Sequence, residues 1–233
     1  MTRKNNNIFI ACDTPSLSKI KKIIKLTKNS SLNIGYKFGL EFFNSRHGRS
    51  FISKLPKQHM VWLDLKLKDI PNTVSSSIHS LKDLTNVRYL TIHASGGIEM
   101  LKAAKRAAAK TNKKLKILAV TVLTSFSEKS IKQIGHTKTI KKIVIQQASL
   151  AKKAKLDGIV CSGHEAKSIK TICKKMQIVT PGIRLERDSK GDQQRIMTPS
   201  QAFQNGATEI VIGRSITNGN IKKNIQKLIA SLK

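Results

Sequence analysis

The feature that most restricts the fold of this chain is an alternation. Eight short runs rich in β-branched and apolar residues follow one another: "IFIACD" (Ile8 to Asp13), "IGYKFG" (Ile34 to Gly39), "MVWLDLKL" (Met60 to Leu67), "VRYLTIH" (Val87 to His93), "ILAVTVL" (Ile117 to Leu123), "GIVCS" (Gly158 to Ser162), "QIVTPGI" (Gln177 to Ile183) and "EIVIGRSI" (Glu209 to Ile216). Between them apolar residues return every three or four positions, as in Leu17, Ile20, Ile24, in Ile140, Val144, Ala148, Ala151, and in Ile221, Ile225, Leu228, Ile229, Leu232. The first period is that of a strand and the second that of an amphipathic helix. Strands alternating with helices pair in parallel through crossovers. Eight such units in 233 residues predict an α/β fold of the (β/α)8 TIM-barrel type. A barrel of this length needs only one core, so residues 1–233 are expected to form a single domain. A doubly wound open sheet would carry a glycine-rich turn after its first strand, and "ACDTPS" is not one.

The polar residues inside or just after these runs cluster at one end. Asp13, Lys37, Asp64, Lys66, His93, Thr124, Ser162, Pro181 and Arg214 all fall at or near C-terminal strand ends, where barrel enzymes keep their chemistry. In "MVWLDLKL" the period of two puts Leu63, Leu65 and Leu67 on one face and Trp62, Asp64 and Lys66 on the other. The leucines then meet the helices and the charged pair looks inward. Burying such a pair costs desolvation energy that mutual attraction only partly offsets. An isolated Asp-x-Lys reads most simply as a structural ion pair. Lys37 at the end of the preceding strand and Asp69 in the following loop turn the weight toward chemistry.

The net charge is +31, from 44 Lys and Arg against 13 Asp and Glu. That balance suits a nucleic-acid binder. The lysines, however, are spread along the whole length, and aromatic residues make up only 4%, too few for a stacking platform. The simpler reading is a lysine- and asparagine-rich usage laid over an ordinary surface, with nucleic-acid binding not expected. Cys12, Cys161 and Cys173 are far apart and odd in number, against a disulfide scaffold and without metal-ligand spacing. No apolar run reaches a membrane span, and "MTRKNNNIFIACD" lacks the features of a signal peptide. A protein of the reducing cytoplasm, not associated with membranes, is expected.

Several segments together resemble the orotidine 5′-phosphate decarboxylase family of the bacterial type. They are "YKFGLEFF", "LDLKLKDIPNTV", "IHASGG", "AVTVLTS", "LDGIVCSGHEA", "TPGIRLERDSKGDQQRIMTP" and "IVIGRSIT", in the family's order and over nearly the whole chain. Asp-x-Lys-x-x-Asp alone is shared with sister barrel enzymes acting on sugar phosphates. "DIPNT" with a later "PGIR" and "GDQ" is specific.

The resemblance implies loss of carbon dioxide from orotidine 5′-monophosphate, giving uridine 5′-monophosphate in pyrimidine synthesis, with no metal or organic cofactor. Lys66 would stabilise the ring carbanion and act as general acid, held by Asp64 and Asp69, which also crowd the substrate carboxylate. Lys37 would complete an array of four alternating charges and bond the ribose. The resemblance further implies a homodimer with shared active sites, in which Asp69, Ile70 and Thr73 serve the partner's site. Asp13 matches the family's ribose contact, a turn or capping role in "CDTPS" being its alternative. Thr124, with Ser125 beside it, would meet the pyrimidine, although either hydroxyl is also placed to cap a helix beginning near Ser127. Arg184 and Gln193 match substrate-binding positions in a long polar loop opening at Pro181.

"IGRS" carries an independent physical argument. It ends the eighth strand, where barrels commonly bind phosphate. Gly213 permits close backbone approach there, and Arg214 supplies an always-charged donor fork. His93 is expected to be hydrogen-bonded inside the barrel mouth, since no second ligand stands at metal spacing, and Cys161 to be a small core residue. Gly96 and Gly97 are expected to form a tight turn. The departures from the family pattern are Ser215 where proline is common, Cys12 where leucine is common, and the charged "LERDSK". None touches the four charges. Two other readings remain: a metal-dependent sister enzyme on sugar phosphates, and a basic nucleic-acid binder built on the same scaffold.

Overall fold

The structure is a computed structural model that describes residues 6–186, 188 and 195–232. Eight strands, β1 (Asn7–Ala11), β2 (Ile34–Gly39), β3 (Met60–Leu67), β4 (Val87–His93), β5 (Lys116–Val120), β6 (Gly158–Val160), β7 (Gln177–Ile183) and β8 (Glu209–Ile212), pair in parallel in sequence order. β8 returns to β1 with Ile8 opposite Ile210 and Ile10 opposite Ile212, so the sheet closes into the expected barrel. Four of the eight strands have the bounds read from the sequence. β1, β5, β6 and β8 stop earlier than their apolar runs. In particular "EIVIGRSI" is not one strand: β8 ends at Ile212, and Arg214–Thr217 is a helical turn.

Helices cover the outside: α1 (Leu17–Thr27), α2 (Leu40–Phe43), α3 (Gly48–Ser53), α4 (Pro71–His79), α5 (Gly97–Thr111), α6 (Glu128–Gln133), α7 (Ile140–Lys153), α8 (Gly163–Ile172), α9 (Pro199–Gln204), α10 (Arg214–Thr217) and α11 (Ile221–Ser231). Their starts are written in capping residues, whose side chains satisfy amides that no helical carbonyl reaches. Ser16, Thr139 and Asn220 accept from the amides of Lys19, Lys142 and Lys223, while Thr198 and Gln201 cap each other reciprocally. The buried stripes are those of the apolar period: Ile20, Ile23 and Ile24 on α1, Ile140, Val144, Ala148 and Ala151 on α7, Ile221, Ile225 and Leu228 on α11.

Two cores result. The larger lies between strands and helices and takes Leu63 and Leu65 from β3. The smaller fills the barrel: Phe9, Trp62, Tyr89, Leu118, Val120, Val160, Val179 and Val211. Phe9 packs edge-on to Trp62 and to Tyr89, with ring centroids 5.0 and 5.2 Å apart. Gly35 makes this possible, because a Cβ there would stand 2.5 Å from the Phe9 ring. Burying each of these large side chains stabilises the fold by up to about 3 kcal/mol. Beneath the aromatic layer, at the N-terminal strand ends, the buried Glu209 carboxylate accepts from Asn7, Tyr89 and Gln177 at 2.8, 2.9 and 2.8 Å. Burial pushes that carboxyl above the usual carboxylate range, and the Asn7 and Tyr89 hydrogen bonds with the charge of Lys116 only partly offset it.

Candidate active site

At the opposite end, a cavity of about 570 Å³ opens above Trp62. Its floor is the inner face of β1, β2, β3, β5, β6 and β8, through Ala11, Lys37, Trp62, Val120, Val160 and Val211. Ten residues singled out from the sequence line it together: Asp13, Lys37, Asp64, Lys66, Thr124, Ser125, Pro181, Arg184, Gly213 and Arg214.

The charged residues form a chain. Asp13, just past β1, accepts from Lys37 Nζ at 3.0 Å. Lys37 Nζ is 3.2 Å from Asp64 Oδ2, and the same oxygen is 2.9 Å from Lys66 Nζ. Gly39 leaves the room this needs, since a Cβ there would lie 3.1 Å from Asp13 Oδ1. Lys37 and Asp64 are nearly enclosed, with side chains 9% and 11% exposed, whereas Lys66 at 31% reaches into the cavity. Burial alone would raise the Asp64 carboxyl, but Lys37, Lys66 and the Thr91 hydroxyl outweigh it and hold the group below the usual range. Burial alone would likewise lower Lys37, and Asp64 and Asp13 reverse it, so its ammonium is held above the usual lysine range. The alternation of sign is what lets four charges share a barrel mouth.

Period two put Asp64 and Lys66 on one face, but the backbone adds a feature that pattern does not contain. Between its pairs Leu63–Leu90 and Leu67–Ile92, β3 advances four positions where β4 advances two. Within this bulge Lys66 takes φ of 50°, a left-handed conformation uncommon for a residue with a Cβ. Its freed amide donates to Thr91 Oγ1 at 3.0 Å, and that hydroxyl donates to Asp64 Oδ1 at 2.9 Å. Thr91 was missed in the sequence. Its signal was there: it shares the parity of Tyr89 and His93, hence the inner face of β4.

Asp69, Ile70 and Thr73 do not line the cavity of their own chain. Asp69 Oδ1 accepts from the Ile70 amide at 2.7 Å, Ile70 is 65% exposed, and Thr73 is exposed on α4. Within one chain the four linked charges are therefore Asp13, Lys37, Asp64 and Lys66. Gln193 lies outside the described residues.

Other expectations resolve locally. The helix after Asp13 is capped by Ser16, and α6 is capped by Ser127 with Ser130, so neither Asp13 nor Thr124 nor Ser125 is the capping residue. Arg184, 7% exposed, donates to the Ile183 carbonyl at 3.0 Å and faces the cavity. Gly213 lies at the junction of β8 and α10 with φ of −111° and ψ of −106°, outside both the extended and the helical regions. His93 departs from expectation: half-buried, its ring makes no hydrogen bond among the described residues, and burial with the nearby Lys66 and Lys68 lowers its pKa. Gly97 takes φ of 84° in the expected turn. Cys161 lines the cavity wall, and burial pushes its thiol up, as it pushes Cys12 up to about 12; both are poor nucleophiles near neutrality. An Arg195–Glu165 ion pair, with Arg195 Nη2 also 3.4 Å from the Leu123 carbonyl, ties the segment before α9 to the β5 end; no sequence pattern announced it.

A closed barrel with an enclosed row of alternating charges at the C-terminal strand ends defines a (β/α)8 enzyme acting on a small anionic substrate. The sequence profile of the Orotidine 5′-phosphate decarboxylase / HUMPS family matches residues 6–227. Orotidine 5′-phosphate decarboxylase of Fusobacterium nucleatum is 40% identical over 97% of this chain and 94% of its own. That of Sphingopyxis alaskensis is 42% identical over 91% and 92%. The crystal structure of orotidine 5′-phosphate decarboxylase from Lactobacillus acidophilus superposes with a TM-score of 0.84 at 30% identity, over 98% of this chain and all of that one. The chain belongs to the Orotidine 5′-phosphate decarboxylase / HUMPS family.

Proposed function

We propose that this protein decarboxylates orotidine 5′-monophosphate to uridine 5′-monophosphate in pyrimidine synthesis, as a cytoplasmic, single-domain enzyme of residues 1–233 that needs no cofactor. The observation that carries the mechanism is one carboxylate, Asp64, held between two ammonium groups at 3.2 and 2.9 Å beside a cavity of nucleotide size. Breaking the bond from the ring to its carboxylate leaves an electron pair on a ring carbon with no neighbouring carbonyl to take it. Fixed positive charge must hold that pair until a proton arrives. Lys66 is the more exposed of the two ammonium groups and supplies both, first the charge and then the proton as general acid.

Asp64 and Lys37 are spent on each other and on position. Held rigidly, they need no reorganisation as charge develops, which is where electrostatic catalysis gains most. Lys37 and Asp13 bond the ribose, and Thr124 with Ser125 faces the pyrimidine. Gly213 and Arg214 seat the phosphate across the cavity, helped by Arg184, Pro181 and Gln193. Asp69, Ile70 and Thr73, exposed and outside their own cavity, complete the site of a second copy, so the working unit is a homodimer.

The test is direct. Orotidine 5′-monophosphate is added to the protein with chelator present, and ring absorbance and carbon dioxide release are followed. Turnover is expected. Its absence, or turnover only of a sugar phosphate with added metal, would assign the chain to the other half of its family.

A further inference from the structure

The mouth of the barrel leaves most of the positive charge unused, and a second cavity gathers part of it. This cavity of about 450 Å³ lies at the N-terminal strand ends, where β4 begins, β5 begins and α5 runs out. Five cations line it, Arg88, Lys105, Lys113, Lys114 and Lys116, with a single carboxylate, Asp157. That carboxylate is fully engaged: Lys105 Nζ lies 2.6 and 2.7 Å from its two oxygens, and the Ile117 amide donates to it at 2.8 Å. Three positive charges are left over. Among the described residues Arg88, Lys113 and Lys114 form no ion pair, and Arg88 donates only to the Thr85 carbonyl at 3.1 Å. Lys116 stands 5.7 Å from the Tyr89 ring centre and is partly offset by the buried Glu209 carboxylate, whose pKa it lowers.

A lysine near a helix C-terminus is stabilised by the dipole, by about 0.3–1 kcal/mol. That accounts for one or two such groups. It does not account for five converging on a concavity, where like charges repel and destabilise the fold. The rim is also fixed, not a loose tail: the Lys114 amide donates to Asn112 Oδ1 at 2.9 Å, and Leu115 beside it is buried.

We propose that this cavity is a binding site for a polyphosphate group, the tripolyphosphate moiety shared by inorganic polyphosphate and nucleoside triphosphates. A chain of three phosphates carries enough negative charge to pair with Arg88, Lys113 and Lys114 and to reach Lys116, each cation contacting one or two oxygens. The lining offers no aromatic face for a base to stack upon, so recognition is of charge and not of the nucleobase. Nucleic acid fits less well, because its phosphates run along an extended track while these cations converge. The site is separated from the mouth by the length of β5, roughly 15 Å, and its occupant does not compete with substrate.

The experiment is calorimetric titration of the full chain with tripolyphosphate at low salt, in an Arg214→Ala background that strips the guanidinium from the mouth cavity. Three forms are compared: that background alone, with Lys113→Gln/Lys114→Gln/Lys116→Gln added, and with the three exposed α11 lysines changed instead (Lys222→Gln/Lys223→Gln/Lys227→Gln). The substituted lysines are exposed, and thermal midpoints check that each form is folded. One site is expected in the background, weakened about tenfold or more by the cavity changes, and by less than about twofold by the α11 changes. Adenosine triphosphate is expected to match tripolyphosphate, and a nucleotide bound more tightly than tripolyphosphate by about tenfold or more would overturn recognition by charge alone. Equal weakening by the two triple changes, no binding in the background, or duplex DNA that tripolyphosphate fails to displace from the cavity lysines would overturn the assignment.

Discussion

Replacing Lys66 by alanine separates chemistry from architecture. Its ammonium lies 2.9 Å from Asp64 Oδ2, on the open side of that carboxylate. A full negative charge developing 4 Å from an ammonium gains about 4 kcal/mol at the effective dielectric constant of about 20 that suits such sites. That energy corresponds to about a thousandfold in rate, and loss of the proton donor adds to it. The fold should hardly notice. Asp64 keeps Lys37 at 3.2 Å and Thr91 at 2.9 Å, and the Lys66 amide, not its side chain, makes the bond to Thr91. Alanine also meets no more strain than lysine at φ of 50°, since both carry a Cβ. The expected stability change is within about 1 kcal/mol, the range of a partly exposed ion pair. The assay is single-turnover decarboxylation of orotidine 5′-monophosphate beside a thermal melt. A variant that is folded and turns over within about tenfold of the parent refutes the assignment of Lys66; a variant that fails to fold refutes the argument that Asp64 is adequately held without it.

Three further outcomes follow from the same geometry. Mixing Lys66→Ala with Asp69→Ala protein should restore turnover after subunit exchange, because one site in each mixed dimer then keeps both residues; persistent inactivity of confirmed mixed dimers would argue against shared sites. Removing the substrate's phosphate should slow decarboxylation by orders of magnitude while Lys66 is untouched, since in the proposed binding mode a remote anion seated on Arg214 lends binding energy to the reaction; comparable kcat/KM for nucleoside and nucleotide would remove that role. Asp64, whose pKa is depressed in the folded chain, contributes stability that is fully present above the unfolded value of about 3.9 and is lost as pH falls through the lower folded value. The stability gap between the parent and Asp64→Asn, measured by urea denaturation, should therefore narrow between neutral pH and about pH 3, and a gap independent of pH would contradict it.

The barrel was legible because its two periods differ so sharply. β3 is the clear case: alternation alone assigned Trp62 inward and Leu63 and Leu65 outward, as they stand in the two cores. Strand ends were less legible where an apolar run continues past the last ladder bond. "GIVCS" looks like five strand residues, yet Ser162 leaves the sheet to cap α8, and in "EIVIGRSI" the chain has turned into α10 by Arg214. Of the site, the residue types and their strand-end positions were readable. The bulge at Lys66 was not, because lysine has no preference for left-handed backbone and nothing in "LKLK" marks it. Thr91 could have been found by counting parity back from His93. That Asp69 lies outside the cavity of its own chain was expected through the family resemblance alone; the residue pattern does not carry it, for it depends on how the loop into α4 leaves the barrel.

The packed interior of Phe9, Trp62 and Tyr89, with the Asn7, Tyr89, Gln177 and Glu209 hydrogen bonds below it, makes the barrel a cup and not a tube. Whatever enters must leave by the same rim, and so must any small gas formed inside. Traffic at that rim, and not a back door, then sets the order in which molecules can come and go.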